Sequence, residues 1–160
     1  MTREETRDWN AELQEIHHRL EATLEAARVS VSRGRRGEVS GQDLRMPCFA
    51  FCSALSKHHE GEDAGLFPRL ANDQPELRPV IDELMAAHLV ITEHLTDLRR
   101  VLDDETSTTS EILGRLHATK VFMKTHFGDE ERRLAGALHE LQEAAPPSQL
   151  LGSVPPLGSD

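Results

Sequence analysis

The chain has 160 residues, 38% apolar and 29% charged, which is enough for one core and too few for two large domains. Its net charge of -10 argues against nucleic acid or an anionic membrane surface as the main partner. There is no apolar run of about 18 residues and no signal-peptide pattern in the charged start MTREETRDWNAELQ, so a cytoplasmic protein without membrane spans is expected.

Taken in chain order, helix signals dominate and strand signals are nearly absent. A capping box, Thr2-x-x-Glu5, opens the first helix. Trp9, Leu13, Ile16, Leu20 and Leu24 form its apolar stripe, and it is expected to end near Ser30. The stretch SRGRRGEVSG follows, where Arg33, Arg35 and Arg36 read as a solvated loop. The second helix is expected to begin between Asp43 and Pro47 and to run through Phe51, Leu55 and His58. Leu66-Phe67-Pro68 should bend or interrupt it.

Asp73-Gln74-Pro75-Glu76 reads as the cap and first turn of a third helix reaching about Asp103, with Leu84, His88, Ile91, Leu95, Leu98 and Leu102 on one face. A second box, Thr108 to Glu111, opens the fourth helix, which fades near Ala144. The pattern predicts an all-α, up-down-up-down antiparallel four-helix bundle over residues 1–144. Four of the eight prolines fall near the end, so residues 145–160 read as a Pro-rich flexible tail, with docking through Leu150, Leu151 and Val154 as the alternative. Cys48 and Cys52 stand at helical spacing, poor for a disulfide, and read as core thiols, with a redox role as the alternative.

The chemistry sits in a spacing that occurs twice, His58-x-x-x-Glu62 and His126-x-x-x-Glu130. Four residues is about one helical turn, so each imidazole and its carboxylate share a face. His17 and His88 lie on two other helices, also within apolar stripes. All four histidines stand 12 to 17 residues from the neighbouring loops. At about 1.5 Å per residue, antiparallel packing therefore brings them to one level inside the bundle. Buried imidazoles and carboxylates are costly unless paired or metal-bound. The set suggests two irons side by side, with Glu62 and Glu130 bridging and the four histidines capping. His59, Glu60 and Asp63 border this site as candidate second-layer partners.

These residues resemble the hemerythrin-like, or HHE cation-binding, family. The strings that carry the likeness are Ile16-His17-x-x-Leu20, His58-His59-x-x-Glu62-Asp63-x-x-Leu66-Phe67-Pro68, Leu84-x-x-x-His88 and His126-Phe127-x-x-Glu130-Glu131. The resemblance implies two non-haem Fe ions, oxo- or hydroxo-bridged, and chemistry with O2, peroxide, nitric oxide or iron itself. Oxygen-carrying members have a further histidine where this chain has Thr92, which points to an open position on one iron. His94 is poorly placed to replace it. The expected function is binding or reduction of a small oxidant, with an iron or redox sensor as the alternative. No nucleophile elbow, phosphate loop or nucleotide motif supports another enzyme class.

Overall fold

A computed structural model describes residues 7–35 and 42–155, and every regular element among them is helical. Helix α1 spans Trp9–Arg35. Asp8 precedes it, and its carboxylate accepts the Ala11 N–H at 3.1 Å, as an N-cap does. The Thr2–Glu5 box lies outside the described residues. The helix continues past Ser30 because its buried stripe continues, through Leu24, Ala27 and Val31. Arg33 is therefore helical rather than part of a loop.

Helix α2 spans Gln42–Gly61, which places Pro47 inside it. A π-turn at Glu62–Leu66 and helix α3, Phe67–Asp73, follow without a gap. In the π-turn the Phe67 N–H reaches back five residues to the Glu62 carbonyl. The expected bend is thus a widened turn just ahead of Pro68. The proline has no N–H for the carbonyl of Ala64, and its ring would crowd that group in a regular α-turn.

A 3-10 turn at Pro75–Leu77 leads into α4, Arg78–Asp103. Helix α5 spans Thr109–Glu140 and opens at the expected cap, where the Thr108 hydroxyl accepts the Glu111 N–H at 3.1 Å. Helices α1 and α4 each pack against both α2 and α5, enclosing one core that includes Leu13, Leu20, Phe51, Leu55, Leu84, Ile91 and Leu116. Burying a side chain of this kind contributes about 1.5–3 kcal/mol. The summed effect offsets the cost of the polar cluster set within the core.

Within residues 145–155 the structure has the docked arrangement that the sequence offered as the alternative to a flexible tail. Helix α6, Pro147–Leu151, lies against α2 and the π-turn, with Leu150, Leu151 and Val154 buried. Carbonyls just before it take side-chain bonds: Trp9 Nε1 donates to Glu143 and Arg7 Nε to Ala145. Prolines end α-helix but do not prevent packing once apolar side chains and carbonyl acceptors find partners. No helix among the described residues is long and apolar enough to cross a membrane.

Candidate metal centre

Two segments with one pattern face each other across the core. His58-His59-x-x-Glu62-Asp63 closes α2 and enters the π-turn, and His126-Phe127-x-x-Glu130-Glu131 lies in α5. At about 100° per residue, a carboxylate four places after a histidine projects between that histidine and the next residue. Glu62 therefore points between His58 and His59, and Glu130 between His126 and Phe127. Helix α1 supplies His17 and α4 supplies His88.

The six residues singled out by spacing, His17, His58, Glu62, His88, His126 and Glu130, come together and are all buried. His58 Nε2 lies 3.2 Å from Glu62 Oε1, and His88 Nε2 lies 3.4 Å from the same oxygen. His126 Nε2 lies 3.1 Å from Glu130 Oε2, and His17 Nε2 lies 3.3 Å from Glu130 Oε1. Glu62 thus touches imidazoles from two helices, and Glu130, with His88 Nε2 3.8 Å from its Oε2, from three.

A seventh residue joins them. His59 is buried and its ring stacks on His88, with centroids 3.9 Å apart. Its candidate ligand atom falls in one group with those of Glu62, His88 and His126, all within 4.8 Å of one another; His17, His58 and Glu130 form the other group. Spacing alone placed His59 only at the border of the site. The tandem His58-His59 was the available signal, since the two flank the direction of Glu62.

The other expectations sort plainly. Asp63 does contact the site, through His88, whereas Glu60 is exposed. His94 packs beside Phe122, away from the cluster, and His18, His117 and His139 are exposed. The Thr92 hydroxyl donates to the His88 carbonyl within its own helix, and the residue is exposed.

Outer partners orient three of the rings. His17 Nδ1 pairs with Glu131 Oε2 at 2.9 Å and His88 Nδ1 with Asp63 Oδ1 at 2.8 Å. His58 Nδ1 pairs with the Leu151 carbonyl at 2.7 Å, an acceptor that requires the nitrogen to carry its proton. A proton on Nδ1 leaves Nε2 free as a ligand, the arrangement metal-bound histidines use.

The electrostatics follow from burial. Burial holds His58 down to about 3, and burial with the neighbouring imidazoles holds His59 well below its usual value. Burial also opposes charge on His88, yet Asp63, Glu130 and Glu62 together raise it to about 11. His17 is likewise raised, by Glu130 and Glu131 against burial. Burial pushes Glu62 well up, and the Glu130 charge adds to this. Glu130 moves well down, because its contacts with Glu62, His126, His17 and His88 outweigh burial. Without a cation, protons are held here to balance buried carboxylate charge.

The donors fit a metal. The Nε2 atoms of all five histidines and all four oxygens of Glu62 and Glu130 are buried without a hydrogen-bond partner. Orphaned buried polar atoms are rare and cost about 1–3 kcal/mol each. Nine of them converging are explained by cations that take their lone pairs.

The model of the hemerythrin HHE cation-binding domain matches residues 10–144. The chain belongs to the hemerythrin HHE cation-binding family. No curated protein and no solved structure matches it. In this family member, His/Glu clusters suited to cations lie on four helices, α1, α2, α4 and α5, and on the π-turn after α2, all within the matched residues.

Proposed function

We propose that this hemerythrin-like chain is an up-down-up-down four-helix bundle that holds two iron ions and uses them to bind or reduce a small oxidant: O2, peroxide or nitric oxide. The observation that carries the reading is that Glu62 and Glu130 each contact imidazoles of both donor groups. A carboxylate so placed can serve two cations at once, and a set of five imidazoles and two carboxylates suits iron better than tetrahedral zinc.

The two groups are unequal. His59, Glu62, His88 and His126 make four donors, whereas His17, His58 and Glu130 make three. With both carboxylates shared, three imidazoles would serve one cation and two the other, so the second would have the more open position. The open position belongs on the His17 and His58 side rather than beside Thr92. Iron supplies electrons and an exchangeable coordination position. The protein residues shape the surroundings: Phe127 stacks flat on His17 at 3.8 Å and Phe67 on His88 at 5.3 Å, keeping bulk water from the rings. Glu131 and Asp63 are partly exposed and hold protons at Nδ1 of His17 and His88, at the boundary with solvent.

A sensor reading that relies on thiol chemistry has less support. Cys48 and Cys52 are buried, and burial pushes their thiols up to about 12 and about 11, leaving little thiolate at neutral pH. Metal analysis of protein isolated in air, with optical spectra of the reduced protein under argon before and after O2, peroxide and nitric oxide, tests the proposal. Two irons per chain and a changed spectrum are expected. Absence of iron sinks the metal assignment, and two irons with spectra indifferent to all three oxidants sink the reactivity.

A further inference from the structure

The family match ends at residue 144, yet one of the buried histidines takes its orienting bond from beyond that point. His17 and His88 are oriented by carboxylates, whereas His58 is oriented by the main-chain carbonyl of Leu151, at the end of α6. Three glycines allow that backbone to come so close. A Cβ on Gly61 would collide with the Gly152 backbone, and one on Gly65 would lie 2.6 Å from the Gln149 carbonyl oxygen. Gly152 has φ +77°, a region L side chains rarely adopt, and a Cβ there would strike the Lys57 carbonyl. Leu150 and Leu151 are buried, and Arg19 Nη1 reaches the Val154 carbonyl at 3.5 Å, tying the segment to α1 as well.

We infer that residues 147–154 are a strap that positions His58: the Leu151 carbonyl holds the proton on Nδ1 and thereby aims Nε2 at the three-donor position. Leu151 acts through its backbone, so it is a positioning residue and its side chain serves only to dock the strap. The consequence for metal rests on the two-iron reading above; the effect on His58 itself does not. Gly61 lies between His58 and Glu62, so its lack of a side chain serves the strap. Gly128, between His126 and Glu130, has open space around a Cβ and serves as the control.

The experiment compares the full chain with Gly61→Ala, Gly65→Ala and Gly128→Ala. None of these removes a candidate ligand, and Ala favours helix more than Gly does, so the host helices should persist. Nitrogen-15 NMR of the metal-free proteins reads the His58 tautomer. A slowly exchanging Nδ1–H is expected in the wild type and in Gly128→Ala, and its loss or fast exchange in Gly61→Ala and Gly65→Ala. Titration with ferrous ion under argon then reads the consequence: binding at one of two positions about tenfold or more weaker in the strap variants, as for loss of other outer partners. An unchanged His58 Nδ1–H in both strap variants overturns the inference, whatever the metal content. A wild type that binds no iron but shows the tautomer effect keeps the strap and removes the two-iron reading. Should Gly61→Ala fail to fold, Gly65→Ala carries the same test.

Discussion

The α2 and α5 halves of the centre repeat one design, and they differ at a single inward position. Asp63 and Glu131 both follow a site carboxylate by one residue and both bind the Nδ1 of an imidazole on another helix. His88 stacks on His59 in one half, and His17 stacks on Phe127 in the other. A planar ring fills the same role twice, but only one copy brings a lone pair. The difference converts a near-symmetric cage into a four-donor group and a three-donor group. Asymmetry of this kind separates holding a metal from leaving a place for a ligand.

The largest effect should come from removing what the halves share. Glu62→Ala and Glu130→Ala each take away oxygens that touch both imidazole groups, so iron content should drop toward zero in either variant when measured by metal analysis. Retention of one full iron in either variant would show that the halves bind independently.

Exchanging the differing ring comes next. His59→Phe should make both groups three-donor and weaken one position beyond the 10–100-fold, as an order of magnitude, that loss of an outer partner costs. Phe127→His should fill the open position and slow the reaction with peroxide or nitric oxide in stopped-flow optical measurements. Unchanged rates in that variant would move the reactive position away from His17.

Smaller and matched effects should follow from the outer carboxylates. Asp63→Asn and Glu131→Gln keep shape and remove charge, and each should weaken iron about 10–100-fold in its own half. A loss confined to one variant would mean that the two halves are less alike than their geometry. Gly128→Ala should have the smallest effect, a gain of roughly 0.5–1 kcal/mol from helix propensity, read as a small rise in melting temperature. A destabilised Gly128→Ala would reveal a packing constraint at a place where the structure leaves open space.

The helices were legible because their burial follows the 3.6-residue period: the stripes read from the sequence for α1 and α4 are buried throughout. The six metal candidates were legible for the same reason, since polar residues inside an apolar stripe need a partner. His59 escaped because adjacent residues on a helix diverge by about 100°, and only the placement of α4 decides whether the second ring faces the core. Turn-rich composition puts the end of α1 too early, near Ser30, whereas Val31 is buried; Leu151 is buried as well, the docking that stands as the second reading of the tail. Gly61 and Gly128 look alike in sequence, and only the first lies beneath another backbone.

Local periodicity by itself determined the all-helical character, the paired His-x-x-x-Glu steps and the level at which four histidines meet. Tertiary packing decided the rest: the recruitment of His59, the unequal division of donors, and the strap on His58. The physical reason is that a helix's own geometry sets which of its residues share a face, but not what lies opposite that face. Ligand number, open positions and outer hydrogen bonds are properties of what lies opposite.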